Sequence, residues 1–323
     1  MKRSRITFLL AELVIALLAI FFIYKIFEGE PEPKTVAVIL QNSGDSRWDA
    51  LINGMKQAAG ERNLHLIICN TDDMENAEDE EEIITEQLAN GVDAFIIGPA
   101  PGTDTLGMLK RVCVDTPYIL VTEDVYSENV AEKSGLPVVK PDNYELGYQL
   151  AVQMAKNDAD GLSGKTVGVV AGFAETEAAE NKLKGLVDGL EEYGCSISWQ
   201  YNVDITHYTY KVVDARDRVD YLAVLDNGAL EELADKAENG RYDGAKLYGI
   251  GSSEKNISYL DQERICCLIV PDGYGIGYDS VKEVAEGLNS AMYTMRSSEA
   301  QYKILYREDL FSEEVERFLY SYE

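Results

Sequence analysis

The sequence predicts an α/β chain of two similar halves, each a parallel sheet covered by helices on both faces. Three observations predict this. Apolar runs of strand length alternate strictly with amphipathic stretches of helical period, the pattern of a parallel sheet. Each run, as at 36–40 (VAVIL), is aliphatic and β-branched without polar alternation, as a strand buried on both faces requires. At 166 the cycle begins again. The chain has 323 residues, room for two domains of roughly 100 to 150 residues each.

The first unit is a strand over 36–40, a polar loop over 41–48, a helix from Trp48 and a strand over 64–69. Leu51, Ile52, Met55, Ala58 and Ala59 recur at helical spacing, and Gly60 with Asn63 marks the exit. In such a sheet ligands are met beyond the carboxyl ends of the strands. The loop 41–48 is therefore half of a binding cleft, with Asn42, Asp45 and Trp48 as candidates. A helix over 82–89 ends at Asn90 and Gly91, and strands over 92–98, 118–122 and 138–140 follow, with a helix over 104–114 between the first two. The acidic run 72–82 reads as a solvated loop and helix start. PDNYELG at 141–147 leads into a helix through Ala155. The second cycle gives strands over 166–171, 196–203, 221–225, 246–250 and 265–270 and helices over 178–193 and 229–239, with a short polar helical segment before 221. A helix over 276–292, a strand over 302–306 and a helix over 312–320 complete the chain.

Ahead of this lies an apolar stretch, 6–27, preceded by Lys2, Arg3 and Arg5 and interrupted by charge only at Glu12 and Lys25. It is about long enough to cross a bilayer. No small-residue cleavage site ends it, and the first cysteine is Cys69, which excludes a lipoprotein linkage. The reading is an uncleaved anchor with a short linker over 28–34. Basic residues before it and Glu28, Glu30 and Glu32 after it put the bulk of the chain outside the cytoplasm.

Lys plus Arg is 29 against 57 Asp plus Glu, a net charge of -28, which repels phosphate backbones and argues against nucleic acid. The five cysteines show no CxxC spacing and suggest buried free thiols. Only two histidines, His65 and His207, occur, far apart, so neither a metal site nor a Ser-His-Asp arrangement is predicted. Phosphate-cradling GxGxxG and GxxxxGKS loops are absent. The expectation is no enzyme, no cofactor and no metal.

Several segments, in this order, resemble the ribose- and galactose-binding branch of the type I periplasmic solute-binding proteins: SRWDALINGMKQAA, NGVDAFIIGPA, PDNYELG, AAENKLKGLVDGLEEYG and YREDLFSEEVERF. The resemblance covers nearly all of 34–320. It implies two Rossmann-like lobes closing on a ligand, joined by three crossings near 139–142, 270–272 and 301–302. The lobes would be 34–140 plus 272–300, and 141–271 plus 301–323, after an amino-terminal anchor and linker over 1–33. For the site it implies that Trp48 stacks on a sugar ring and that Tyr208 approaches from the opposite lobe. Thr122 and Glu123 stand where the family has an Asp-Arg pair, Lys182 where it has an Arg, and Asp226 with Asn227 where it has an Asn-Asp pair. Gly251 and Pro271 replace two further polar groups. The hydroxyl-binding set is thus partly rewritten, and a ligand other than ribose, or weak binding, is expected, since an unpaired buried polar group costs roughly 1 to 3 kcal/mol.

The function expected is a membrane-anchored extracytoplasmic binding protein for a small polar ligand, a monosaccharide first, serving an ABC permease or a membrane sensor kinase. The alternative is a ligand-free module of the same fold that binds only a membrane partner. A sugar-responsive repressor shares such a core, but the apolar amino terminus replaces a DNA-reading domain and the acidity disagrees with DNA contact.

Overall fold

The computed structural model describes residues 8, 12–22, 33–129, 132–204, 206–290 and 292–320. Of the apolar stretch 6–27, residues 8 and 12–22 are described, and they are helical. The rest of the expected anchor lies outside the described residues. No helix among the described residues is long and apolar enough to cross a membrane.

Residues Thr35–Glu323 form one compact unit holding two six-stranded sheets. The first sheet has the order β11-β5-β4-β3-β1-β2, built from β1 (Lys34–Ile39), β2 (Leu64–Ile68), β3 (Ala94–Ile97), β4 (Tyr118–Val121), β5 (Val138–Pro141) and β11 (Ser298–Ala300). The second has the order β12-β10-β9-β8-β6-β7, from β6 (Thr166–Ala171), β7 (Ser196–Asn202), β8 (Tyr221–Val224), β9 (Lys246–Ile250), β10 (Cys267–Pro271) and β12 (Tyr302–Leu305). The chain passes between sheets three times: after β5, after β10 and between β11 and β12.

The unbroken apolar strands have a direct structural cause. Val36 and Val38 of β1 pack into one core while Ala37 and Ile39 pack into another on the opposite face. The second sheet divides alike, with Val167 and Val169 on one side and Val170 on the other. Both faces are dry, so neither register position tolerates a polar residue.

Four features depart from the sequence reading. β12 runs antiparallel to β10, so the second sheet is not wholly parallel. A helix at Glu254–Asp261 and the edge strand β11 fall where no element is expected. The helix expected at 82–89 begins at Ala77, because Asn76 accepts from the Glu78 and Asp79 amides and draws the acidic run into its first turn.

Two helix pairs flank the crossings, and they repeat each other. In the first lobe α1 (Asp49–Glu61) packs on α9 (Gly273–Asn289); in the second α4 (Asn143–Lys156) packs on α5 (Glu177–Glu192). DNYELGY at 142–148 and DGYGIGY at 272–278 each start the hinge-side helix, the leading Asp taking the Glu145 or Gly275 amide. The glycines make backbone contact possible. A Cβ at Gly147 would lie 1.8 Å from the Lys182 carbonyl oxygen, and one at Gly277 2.0 Å from that of Leu51. Tyr144 and Tyr148 donate to Asp188 and Glu192, as Tyr274 and Tyr278 do to Gln57 and Glu61. This packing carries Lys182 and Leu51 to the space between the lobes.

Candidate functional site

The carboxyl ends of both sheets face a cavity of about 180 Å³ between the lobes. At about 30 Å³ per water, that is room for roughly six waters, or one small polar molecule. Trp48, Phe173, Pro99 and Leu225 give it apolar walls, and Arg47, Glu123, Lys182 and Asp226 bring charge to them.

The loop 41–48 divides between site and scaffold. Asp45 caps a 3-10 turn, Ser46–Trp48, by accepting the Arg47 amide at 2.9 Å, and that turn presents Arg47 and Trp48 to the cavity. The indole Nε1 of Trp48 donates to the Gln41 carbonyl at 2.8 Å, which fixes the ring. The Arg47 guanidinium lies 4.8 Å from the ring centroid, and its Nε is buried without a hydrogen-bond partner. Asn42 and Asp45 do not line the cavity. Asn42 is exposed, with φ 45, because its amide is turned toward the Asp72 carbonyl.

Across the cavity Lys182 projects from α5. Burial draws its ammonium below the usual lysine range, against the pull of Glu123, Asp226 and Glu177, and Arg47 adds to the lowering. Asp226 lends Oδ1 to the Ala229 amide at 2.8 Å, capping the helix Asn227–Lys236. Asn227 touches the cavity but works inside its own lobe. Its Oδ1 accepts the Ser252 amide at 2.9 Å and its Nδ2 donates to Glu231 at 3.1 Å. Thr122 and Pro271 also line the wall.

Tyr208 is a correction. It is 63% exposed and lines a separate surface depression with His207 and Lys211. Asp204 accepts the amides of Thr206 and His207, at 2.8 and 2.9 Å.

Four residues missed from sequence shape the site. Glu177, first residue of α5, accepts from Asn181 at 2.7 Å, from Asn143 at 3.2 Å and from the Asp124 amide at 3.2 Å, and pairs with Lys140. Arg47 was adjacent to a named candidate, and Phe173 lies just past the end of β6, where the strand-end rule could have found it. Glu177 and Lys140 left no signal, since a charged first turn is ordinary in any helix.

The lobes meet directly at the cleft. The Ala178 amide donates to Glu123 at 3.0 Å, the Gly102 amide to the Glu175 carbonyl at 2.8 Å, and Ser252 Oγ to the Arg47 carbonyl at 3.4 Å. Burial pushes the Glu123 carboxyl up to about 7, with the Ala178 amide opposing, Glu177 adding to the rise, and Lys182 and Lys140 opposing. Thr122, just before it, has φ 68, a left-handed conformation that costs a β-branched residue about 1 to 3 kcal/mol. Its amide, carbonyl and hydroxyl are each hydrogen-bonded, to Val139, Asn143 and Val121, and hold it there.

Two α/β lobes joined by three crossings around a polar cavity define a bilobal binding protein. The chain belongs to the family described as periplasmic binding protein domain, whose model matches residues 36–290. It is 25% identical over 203 residues to the D-ribose/D-allose-binding protein of Pseudomonas aeruginosa, a match spanning 61% of this chain and 62% of that protein. Its fold is similar to a carbohydrate transporter solute-binding protein from Agrobacterium radiobacter solved with D-arabinose, at TM-score 0.78 and 16% identity over 90% of this chain and 100% of that one. It is also similar to a chain of the XylFII-LytSN complex, at TM-score 0.72 and 16% identity over 86% of this chain and 100% of that one.

Proposed function

We propose that this protein is an extracytoplasmic solute-binding protein, tethered to the membrane by the apolar stretch 6–27, that holds a monosaccharide between its lobes. The lobes act as 34–140 with 272–300 and 141–271 with 301–323. The observation that carries the reading is the cavity, where aromatic faces at Trp48 and Phe173 meet polar groups at Arg47, Lys182 and Asp226. Aromatic rings suit the CH faces of a sugar, and charged groups suit its hydroxyls. A relative named for ribose and allose, and a structural neighbour solved with arabinose, support the same class.

A thermal-shift screen against pentoses, hexoses, nucleosides and polyols tests this. A ligand at 100 times its Kd adds about 2.7 kcal/mol to the folded state. The shift should vanish in Trp48→Ala. No shift with any compound would overturn the sugar reading.

The bound sugar serves an ABC permease or a membrane sensor kinase. Deleting the gene separates them: lost uptake indicates the permease, and altered transcription with uptake intact indicates the sensor. A second reading, a module that binds only a membrane partner, draws support from the direct lobe-to-lobe hydrogen bonds.

A further inference from the structure

Three hydrogen bonds between the lobes, from the Ala178, Asp124 and Gly102 amides, lie along one lip of the cleft and involve groups that an open form would leave to water. The first-turn amides of α5 have no partner within the helix. Thr176, in the same lobe, takes the Ala179 amide at 3.2 Å, and Glu123, from the other lobe, takes the Ala178 amide at 3.0 Å. The exchange is reciprocal. Glu177 of the second lobe takes the Asp124 amide of the first at 3.2 Å, and the Glu175 carbonyl takes the Gly102 amide at 2.8 Å. A carboxyl oxygen that takes such an amide satisfies a donor the helix itself leaves unpaired.

The groups facing Glu123 come from every element around it. They are Glu177 and Lys182 on α5 and Lys140 on β5, while Arg47 and Asp226 line the same cavity. Asp124, beside it, is occupied by the Val125 and Ser134 amides at 2.8 and 3.2 Å. Glu177 is already bound to Lys140, Asn181 and Asn143, which leaves Glu123 free to face the helix end.

We infer that Glu123 is a latch between the lobes: its carboxyl caps the opposite lobe's α5, so that closure does not depend on a ligand. A ligand then enters a cleft biased toward shut, and its contacts need not supply all the free energy of closing. The latch concerns the lobes alone and stands apart from the identity of the ligand.

Hydrogen–deuterium exchange on the full chain, with no sugar added, tests it. The readout is the segment around Gly102, whose bond to Glu175 does not involve Glu123. In the wild type that segment and the one around Ala178 should be protected. In Glu123→Ala both should exchange at least about tenfold faster, while β3 and β6 keep their protection and show the lobes folded. Glu123→Gln, which retains an acceptor, should restore protection.

An unprotected Gly102 segment in the wild type would overturn the latch. So would a Glu123→Ala chain as protected as the wild type, or a Glu123→Gln chain as open as Glu123→Ala. Protection appearing only on addition of sugars would overturn the latch and leave the sugar reading standing. A latch that holds in a chain no sugar shifts would sink the sugar reading alone.

Discussion

Glu80 is the residue whose environment contradicts its chemistry most sharply. It lies in α2 (Ala77–Ala89), fully buried, with the Ala100 backbone amide offering its carboxyl weak opposition to that burial. Burial pushes its carboxyl up from 4.5 to about 8. The folded chain therefore holds a proton that the unfolded chain releases. The stability this contributes is complete below about pH 4.5 and is lost as pH rises through about 8. Glu80→Met should remove that loss and exceed the wild type at pH 9 by on the order of 3 kcal/mol, with a much smaller difference at pH 5. Urea melts at the two pH values measure it, and parallel curves for both proteins would contradict the buried proton. Nothing in the acidic run 72–82 distinguishes Glu80 from its neighbours, because its burial depends on which helix face meets the sheet. Trp48 was legible through its place between a strand end and a helix start, whereas Lys182, inside its helix, and Asp226 were legible only through the family resemblance. The place of Tyr208 was not, since nothing local to it says which surface it lines.

Among elements, the two glycine-mediated helix pairs place the site. Gly147→Ala would drive a Cβ into the Lys182 carbonyl, and backbone cannot yield as a flexible side chain can. A loss of about 3 kcal/mol in chemical denaturation is expected, with disturbed ligand binding because Lys182 moves. Gly60→Ala, with nothing within 4 Å, is the control and should stabilise by up to about 1 kcal/mol. Equal effects at the two positions would refute the close-approach argument. The helix Glu254–Asp261 escaped the sequence because it buries few apolar side chains, Ile257 and Leu260 among them, too few to show a period. The edge strand β11 is polar and mostly exposed, so it carries no buried pattern at all. Strand direction is likewise silent in periodicity, which is why the antiparallel β12 was not foreseen.

At the scale of the whole molecule, closure is linked to protons through Glu123. An open cleft returns this carboxyl to water near its ordinary 4.5, and closing raises it to about 7. Closing therefore takes up a proton and is favoured at low pH. Ligand-free closure should hold more firmly at pH 6 than at pH 8: the Gly102 segment, after allowance for the pH dependence of amide exchange itself, should be up to about tenfold better protected at pH 6, and Glu123→Gln should abolish the difference. Hydrogen–deuterium exchange at the two pH values checks this, and equal protection in the wild type would contradict it. The sequence by itself determined the α/β class, the two-half organisation and the strand ends that meet the ligand space, because burial on both faces of a sheet imprints a local apolar pattern. Only the tertiary structure decided which charges share the cavity and which bind the lobes together. Arg47, Glu123, Glu177 and Lys140 lie in segments separated by up to 130 residues along the chain, and their pairing depends on how the lobes approach, which no local pattern records.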